Sequence, residues 1–404
     1  MTNPLPLDGI RVIDFTHFLA GPHLSRSLAA MGADVIKVER PKGGDAGRHH
    51  PYFKDGQSGY YLQQNMGKRG LCLDLKDARG MELMQRLARS ADVFVENFRP
   101  GALAKLGLGY DALSRENPGL VYCSISAYGH TGPKSDKPGF GLIAEAISGA
   151  MAQLGEPDQA PPLMRMPIAD MYTGMHGVAA VNAALLGRIK SGKGQHIDLA
   201  LYDCMVSMHD YAVQQYFLSG GTVLPKKHGS RQPESTVYGA FRAKDGDLVI
   251  AAQVDDAWVR LAGLIAGAAL DDRFRTPAGR NDNHAEVYAL VEAWCARQDS
   301  VAHCIAQLDA VAVPCAPVQS VDQIVRDPQI LARNMLVEQD HPVLGRVTLP
   351  NLPFRFSDCD TTPRRTAPLL GQHNAEIAAE LGYGATEIAA LKDDGVFYAE
   401  EAAR

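Results

Sequence analysis

One aspartate has a position that chemistry can use. Asp170 stands in Pro167-Ile168-Ala169-Asp170-Met171-Tyr172-Thr173-Gly174, just before a long Ala/Gly-rich stretch, Met171–Ile189, that reads as a helix. An N-cap is the ordinary role for such an aspartate. A second role is compatible with the first. A helix N-terminus favours the ionised carboxylate, which is what a nucleophile needs, and neighbouring N–H groups can hold a developing oxyanion. Position alone leaves both roles open.

Other chemistries are poorly supplied. No G-x-x-x-x-G-K-[ST] loop exists; Gly67-Lys68 is followed by Arg69 and has no glycine five positions earlier. Gly139-Phe140-Gly141-Leu142-Ile143-Ala144 fits G-x-G-x-x-A but follows a polar loop, His130–Pro138, instead of the first strand of a βαβ unit, so a nicotinamide site is not expected. Gly43-Gly44-Asp45 is the better anion candidate, because small residues let backbone N–H groups approach a phosphate. His49-His50 lacks a third ligand and Cys295…His303-Cys304 a fourth, so no metal is expected. There is no G-x-S-x-G elbow and no local Cys/His signature.

The elements that must position these residues alternate over the first 200 positions. Ile10–Phe15, Asp34–Glu39, Asp92–Glu96, Leu120–Ser126 and Gln195–Leu201 read as strands, with helices over Pro22–Met31, Gly80–Arg89 and Met171–Ile189 between them. Such alternation predicts a parallel sheet with helices on both faces. A further helix is expected from Tyr202 to Leu218, then a polar Gly/Pro/Lys/Arg-rich segment, Gly220–Ser235, read as a linker or functional loop. Val237–Ala243 and Asp247–Ala252 form a hairpin pattern across Lys244-Asp245-Gly246. Helical stretches follow at Ala257–Ala266, His284–Arg297 and Val301–Leu308. Short strands at Met335–Asp340 and Gly345–Leu349 and a last helix from His373 return to the first style. The expected division is 1–220, 221–329 (a small α+β domain with its preceding loop) and 330–404 returning to the large domain.

Composition agrees with a folded enzyme. The 404 residues are 46% hydrophobic and 21% charged, with a formal net charge of −6. A mildly acidic chain has no grip on phosphate backbones or anionic bilayers, so neither nucleic acid nor a membrane is an expected partner. The longest apolar runs span about ten residues, against the ~20 of a spanning helix. The start, Met1-Thr2-Asn3-Pro4-Leu5-Pro6, has no basic n-region and no apolar h-region. Seven cysteines without a CxxC pair read as reduced thiols, and the expected location is cytoplasmic.

Several segments taken together are more specific. DFTHFLAGP (14–22), GADVIKVERPKGGDAGR (32–48), NMGKRGLCLDLKDARG (65–80), ADVFVENFRPG (91–101), YCSISAYGHTGP (122–133), IADMYTG (168–174) and GKGQHIDLALYD (192–203) occur in this order, followed by PCAPV (314–318) and PLLGQH (368–373). From about residue 7 to 383 the chain resembles the class III coenzyme A transferases, among them the formyl-CoA:oxalate and carnitine CoA-transferases and some 2-methylacyl-CoA racemases. The resemblance implies a Rossmann-like large domain built from both chain ends, a small domain in the middle, and a homodimer whose chains thread through one another like linked rings. It implies no permanently bound cofactor; coenzyme A enters as the substrate acyl-CoA, with a small carboxylic acid as the second substrate. The family's catalytic carboxylate falls on Asp170.

Family CoA contacts fall on Leu19, Ala20, Arg40, Leu73, Asp74, Leu75, Lys76, Asn97, Phe98, Arg99 and Lys105. Arg40, Lys76, Arg99 and Lys105 suit the phosphates, and the Asn97 amide suits the pantetheine or the nucleophile's surroundings. The chain departs from the formyl-CoA transferase pattern where a glutamine becomes Leu19, where a Tyr-acid pair becomes Phe140-Gly141, and where Gly229–Ser235 replaces a glycine run. A greasier pocket disfavours oxalate. His17, Arg165 and Arg231 remain as candidate partners for a distal carboxylate, and the expected pair is a donor such as succinyl-CoA with a larger dicarboxylic acceptor. Alternatives are a racemase, which would need a histidine that Pro138-Gly139-Phe140-Gly141 lacks, and an inactive CoA-binding member, which the presence of Asp170 disfavours.

Overall fold

The computed structural model describes residues 4–232 and 234–400; the leader reading at Met1–Asn3 lies outside the described residues. Six short segments, β1 (Arg11–Phe15), β2 (Asp34–Glu39), β3 (Arg69–Cys72), β4 (Val93–Glu96), β5 (Val121–Ser126) and β6 (His196–Ala200), pair in parallel in the order β3-β2-β1-β4-β5-β6. Strands β3, β4 and β5 are buried along their whole length. Burial without alternation is what a parallel sheet covered on both faces produces.

The period of two then divides β1, β2, β4 and β5 between two cores. Ile13, Ile36, Leu71 and Phe94 pack with Leu83, Met84 and Leu87 of the amphipathic helix Ala78–Arg89, and with Ile377 and Leu391 from the chain's far end. Val12, Val35, Val93 and Val121 face the other way. They meet Leu24 and Leu28 of α1 (Ala20–Ala30) and Val178, Val181 and Leu185 of the long helix Ile168–Ser191. Gly32, at φ 107, lets the chain turn from α1 into β2, a conformation where a side chain is strained.

The chain divides into two compact units: Met1–Ala150, Met164–Asp210 and Pro328–Arg404 form one, Met151–Leu163 and Tyr211–Asp327 the other. The sequence reading sets these crossings at 220/221 and 329/330 and keeps 151–163 in the first region. Within the second unit, β7 (Tyr238–Arg242), β8 (Asp247–Ala251) and β9 (Cys315–Pro317) make an antiparallel sheet in the order β9-β8-β7. Phe241, Leu248, Ile250, Trp258, Tyr288, Val291 and Leu308 fill its core. Back in the first unit, Leu336–His341 and Gly345–Pro350 pair with each other instead of joining the large sheet.

One expected helix is broken. Tyr202–Leu218 is two helices, Leu201–Ser207 and Ala212–Leu218. The first ends at Met208, where His209 Nε2 donates to the Ser148 carbonyl at 2.8 Å, and the second unit begins two residues later. Among the described residues no helix is long and apolar enough to cross a membrane, and no group of three or more His, Cys, Asp or Glu side chains is arranged around a metal position.

Candidate active site

The strand order 3-2-1-4-5-6 reverses between β1 and β4. Loops leaving the carboxyl ends of those two strands therefore diverge, and the crevice between them is where open α/β sheets take their ligands. The loops here are Thr16–Leu19 and Asn97–Pro100. A cavity of about 330 Å³ opens between them, lined by His17, Leu19, Ala20, Asn97, Phe98, Arg99, Phe140 and Asp170.

Asp170 is the third residue of its helix, which corrects the expected N-cap role. The helix starts at Ile168, and Pro167 in front of it offers no side-chain acceptor. The acceptor comes from elsewhere in the chain: the Ala169 N–H donates to Oε1 of the buried Glu145 at 3.3 Å. Glu145 lies on the short helix Gly141–Ile147 that precedes it. A local pattern could not show a cap supplied 24 residues upstream. Burial, together with the Glu145 carboxylate, pushes the Asp170 carboxyl up to about 6. Gly141 makes room for it, since a Cβ there would overlap Asp170 Oδ2 and stand 3.0 Å from its Cγ.

The Asn97 amide binds the backbone of the facing loop. Its Oδ1 accepts the His17 N–H at 2.8 Å and its Nδ2 donates to the His17 carbonyl at 2.7 Å. Beyond these two bonds the amide has a second N–H and a second lone pair, and Asn97 lines the cavity. Asn97 thus ties the two loops together. The His17 ring packs edge-on against Phe18 and Phe98 at 5.2 and 5.0 Å, and burial holds its pKa below the ordinary value. A neutral imidazole is a hydrogen-bond partner for a carboxylate, not a counter-ion.

The four cations expected at phosphates, Arg40, Lys76, Arg99 and Lys105, are all exposed, and Arg99 lines the cavity while the other three lie outside it. Leu73 is buried and its N–H donates to the Glu39 carbonyl at 3.0 Å; Asp74 Oδ1 accepts the Lys76 N–H at 2.9 Å, and Leu75 packs on the core. Phe140 is 65% exposed and meets Phe18 edge-on at 6.2 Å. Arg165 is exposed, at φ 53, and lines no part of the cavity. Arg231 belongs to the second unit, where it pairs with Glu292 and lies over the Tyr288 ring at 5.1 Å. Sequence reasoning passed over Ser135 and Lys137, which also line the cavity. Their only signal was membership of the polar loop His130–Pro138.

The profile of CoA-transferase family III matches residues 7–374. The succinate–glutarate CoA-transferase of Agrobacterium fabrum is 38% identical over 392 residues, 93% of this chain and 96% of that protein. The succinyl-CoA:mesaconate CoA-transferase of Haloarcula hispanica is 37% identical over 388 residues, 94% and 97% of the two chains. A crystal structure of a CAIB/BAIF family protein from Brucella suis superposes with a TM-score of 0.84 at 37% identity, covering 94% of this chain and 100% of that one.

Proposed function

The chain belongs to CoA-transferase family III, and from that premise we propose that it moves coenzyme A from an acyl-CoA to a free carboxylic acid through Asp170. The observation that carries the reading is the place of that carboxylate. It sits on the first turn of a 24-residue helix, in the cavity at the sheet's switch point, with its pKa pushed up to about 6. A carboxylate in that state is ionised at neutral pH yet partly stripped of water, which favours attack.

The steps balance without a net proton. An Asp170 oxygen attacks the thioester carbonyl, the C–S bond breaks, and CoA thiolate leaves a mixed anhydride. The thiolate then attacks the aspartyl carbonyl and expels the donor's carboxylate, leaving an aspartyl-CoA thioester. The acceptor carboxylate attacks that thioester and expels CoA thiolate to form a second anhydride. Attack of the thiolate on the acceptor's acyl carbon yields the new acyl-CoA and frees Asp170. One thioester is exchanged for another, so no ATP is needed. Helix α1 begins at the cavity wall with no side-chain cap and no acid in its first turn, so its N–H groups at Leu19 and Ala20 suit the thioester oxygen as negative charge develops.

Arg99 at the cavity, with Arg40, Lys76 and Lys105 beyond it, takes the CoA phosphates, and Leu73–Leu75 line the path of the nucleotide end. The donor is succinyl-CoA and the acceptor a C4–C5 dicarboxylic acid, in keeping with what the two named relatives use. Leu19 and Phe140 make the pocket apolar near the reacting carbon, which disfavours oxalate. The working form is a homodimer of interlinked chains.

The test is succinyl-CoA incubated with glutarate or oxalate, with mass detection of the new acyl-CoA. Glutaryl-CoA should form at a higher kcat/KM than oxalyl-CoA. Asp170→Ala should abolish exchange while acyl-CoA binding and folding persist. More than a few per cent of residual exchange in that variant would remove Asp170 from the reaction.

A further inference from the structure

Beneath the loop that lines the Asp170 cavity lies a group of charges that takes no part in the proposed steps. The side chains of Asp14, Lys37 and Lys68 are fully buried and that of Asp45 is 1% exposed. Lys68 Nζ stands 2.7 Å from Asp14 Oδ2, and Lys37 Nζ stands 2.8 Å from Asp45 Oδ2 and 3.8 Å from Asp14 Oδ1. Two carboxylates thus meet two ammonium groups in the dry core. Desolvation of such ions is costly, and apolar side chains of equal volume commonly stabilise a fold as well or better. What the charges add is direction.

That direction is spent on Thr16–Phe18. The Thr16 N–H donates to Asp14 Oδ1 at 3.1 Å, and Lys37 Nζ donates to the Thr16 carbonyl at 2.6 Å. The Phe18 N–H donates to Asp45 Oδ1 at 3.0 Å, while Asn97 holds both backbone groups of His17 from the other side. Phe18 sits at φ 61, a left-handed conformation that an aromatic residue avoids unless its surroundings impose it.

Asp45 is itself anchored. Its N–H donates to Glu39 Oε1 at 2.9 Å, and Arg48 holds the Glu39 carboxylate at 2.7 Å. Gly44, at φ 60, has no space for a Cβ beside that Glu39 oxygen. The Gly43-Gly44-Asp45 loop, an anion candidate on sequence, therefore turns its one carboxylate inward to the loop behind β1.

We propose that Asp45, backed by Lys37, is a positioning residue that fixes the Thr16–Leu19 backbone so that Leu19 and Ala20 face the Asp170 carboxylate across the cavity. The proposal rests on the reading of Asp170 as the nucleophile. Its effect falls on the attack, because a misplacement of about 1 Å at the reacting atoms costs on the order of 100-fold in rate.

The experiment follows the Asp170–CoA adduct by mass spectrometry after rapid mixing of the full-length enzyme with succinyl-CoA. Asp45→Leu, which offers no acceptor to the Phe18 N–H, should slow adduct formation by roughly thirtyfold or more, with the Kd for acyl-CoA changed less than threefold. The double variant Asp45→Leu/Lys37→Met leaves no unpaired ammonium and should fold while remaining as slow. Adduct formation at the wild-type rate in either folded variant overturns the proposal. So does a Kd that weakens in step with the rate, or a failure of both variants to fold, since each would make the buried charges merely structural. Absence of any Asp170 adduct in the wild type would instead overturn the nucleophile reading on which the proposal stands.

Discussion

Asp170 carries two opposed environments. Its helix N-terminus favours the anion, whereas burial and the Glu145 carboxylate disfavour it, and the balance lies at about 6 against an ordinary 3.8. The proposed attack needs the ionised form. Exchange should therefore fall about tenfold per pH unit below 6 and level off above it, read as the acid limb of kcat/KM against pH. Stability should show the mirror image. Between 3.8 and 6 the native state holds a proton that the unfolded chain has lost, so this group makes unfolding free energy fall as pH rises through that window. Glu145→Gln removes the like charge and keeps an oxygen for the Ala169 N–H. It should move the acid limb to lower pH without restoring 3.8, because burial remains. A limb that stays in place would show that burial alone sets it.

At the scale of elements, the site depends on close approach between the helix Gly141–Ile147 and the first turn of the helix that bears Asp170. Gly141→Ala places a methyl where Asp170 Oδ2 lies. The end of a side chain can rotate away, so the fold should survive, with a Tm within about 2 °C of wild type, the shift that about 1 kcal/mol gives in a chain of this size. The carboxylate would point elsewhere, and kcat/KM should drop by roughly 100-fold; unchanged kcat/KM would show that the carboxylate has slack. Local pattern made much of this legible. Alternating apolar runs and Gly/Pro punctuation gave β1, β2, β4, β5 and β6 to within a residue or two, and the helix start marked Asp170. What stayed hidden is held by distant parts of the chain. Edge strand β3 (Arg69–Cys72) has only four residues, and its partners arrive from far along the chain: the Gly70 N–H donates to His373 Nδ1 and the Cys72 N–H to Asn374 Oδ1. The Glu145 cap, the bonds between Asn97 and the His17 backbone and the inward Asp45 are likewise contacts between separate segments, invisible to spacing along one of them.

At the scale of the whole molecule, the chain leaves the first unit at 150/151 and again at 210/211, returning to it at 163/164 and 327/328. The single chain also exposes apolar side chains: Leu186 at 64% and Ile189 at 80% in the first unit, Phe217 at 73% and Leu218 at 88% in the second. Leu186 and Ile189 stand three residues apart on one helix, and contiguous exposed apolar patches are commonly covered by a partner. The proposed interlinked homodimer has a kinetic consequence that an ordinary docked dimer lacks. Docked subunits exchange at the rate at which their interface opens, whereas linked rings separate only when one ring unfolds, on the scale of hours to days for a stable domain. Two populations of the enzyme, each with its own affinity tag, should therefore give almost no doubly tagged dimer after a day together in native buffer. Unfolding the mixture in urea and refolding it should bring doubly tagged dimer to about half, as random pairing requires. Refolding should also slow on dilution, because threading needs two partly open chains to meet. Doubly tagged dimer appearing within minutes in native buffer would mean that the subunits merely dock, and the interlinked architecture would have to be given up.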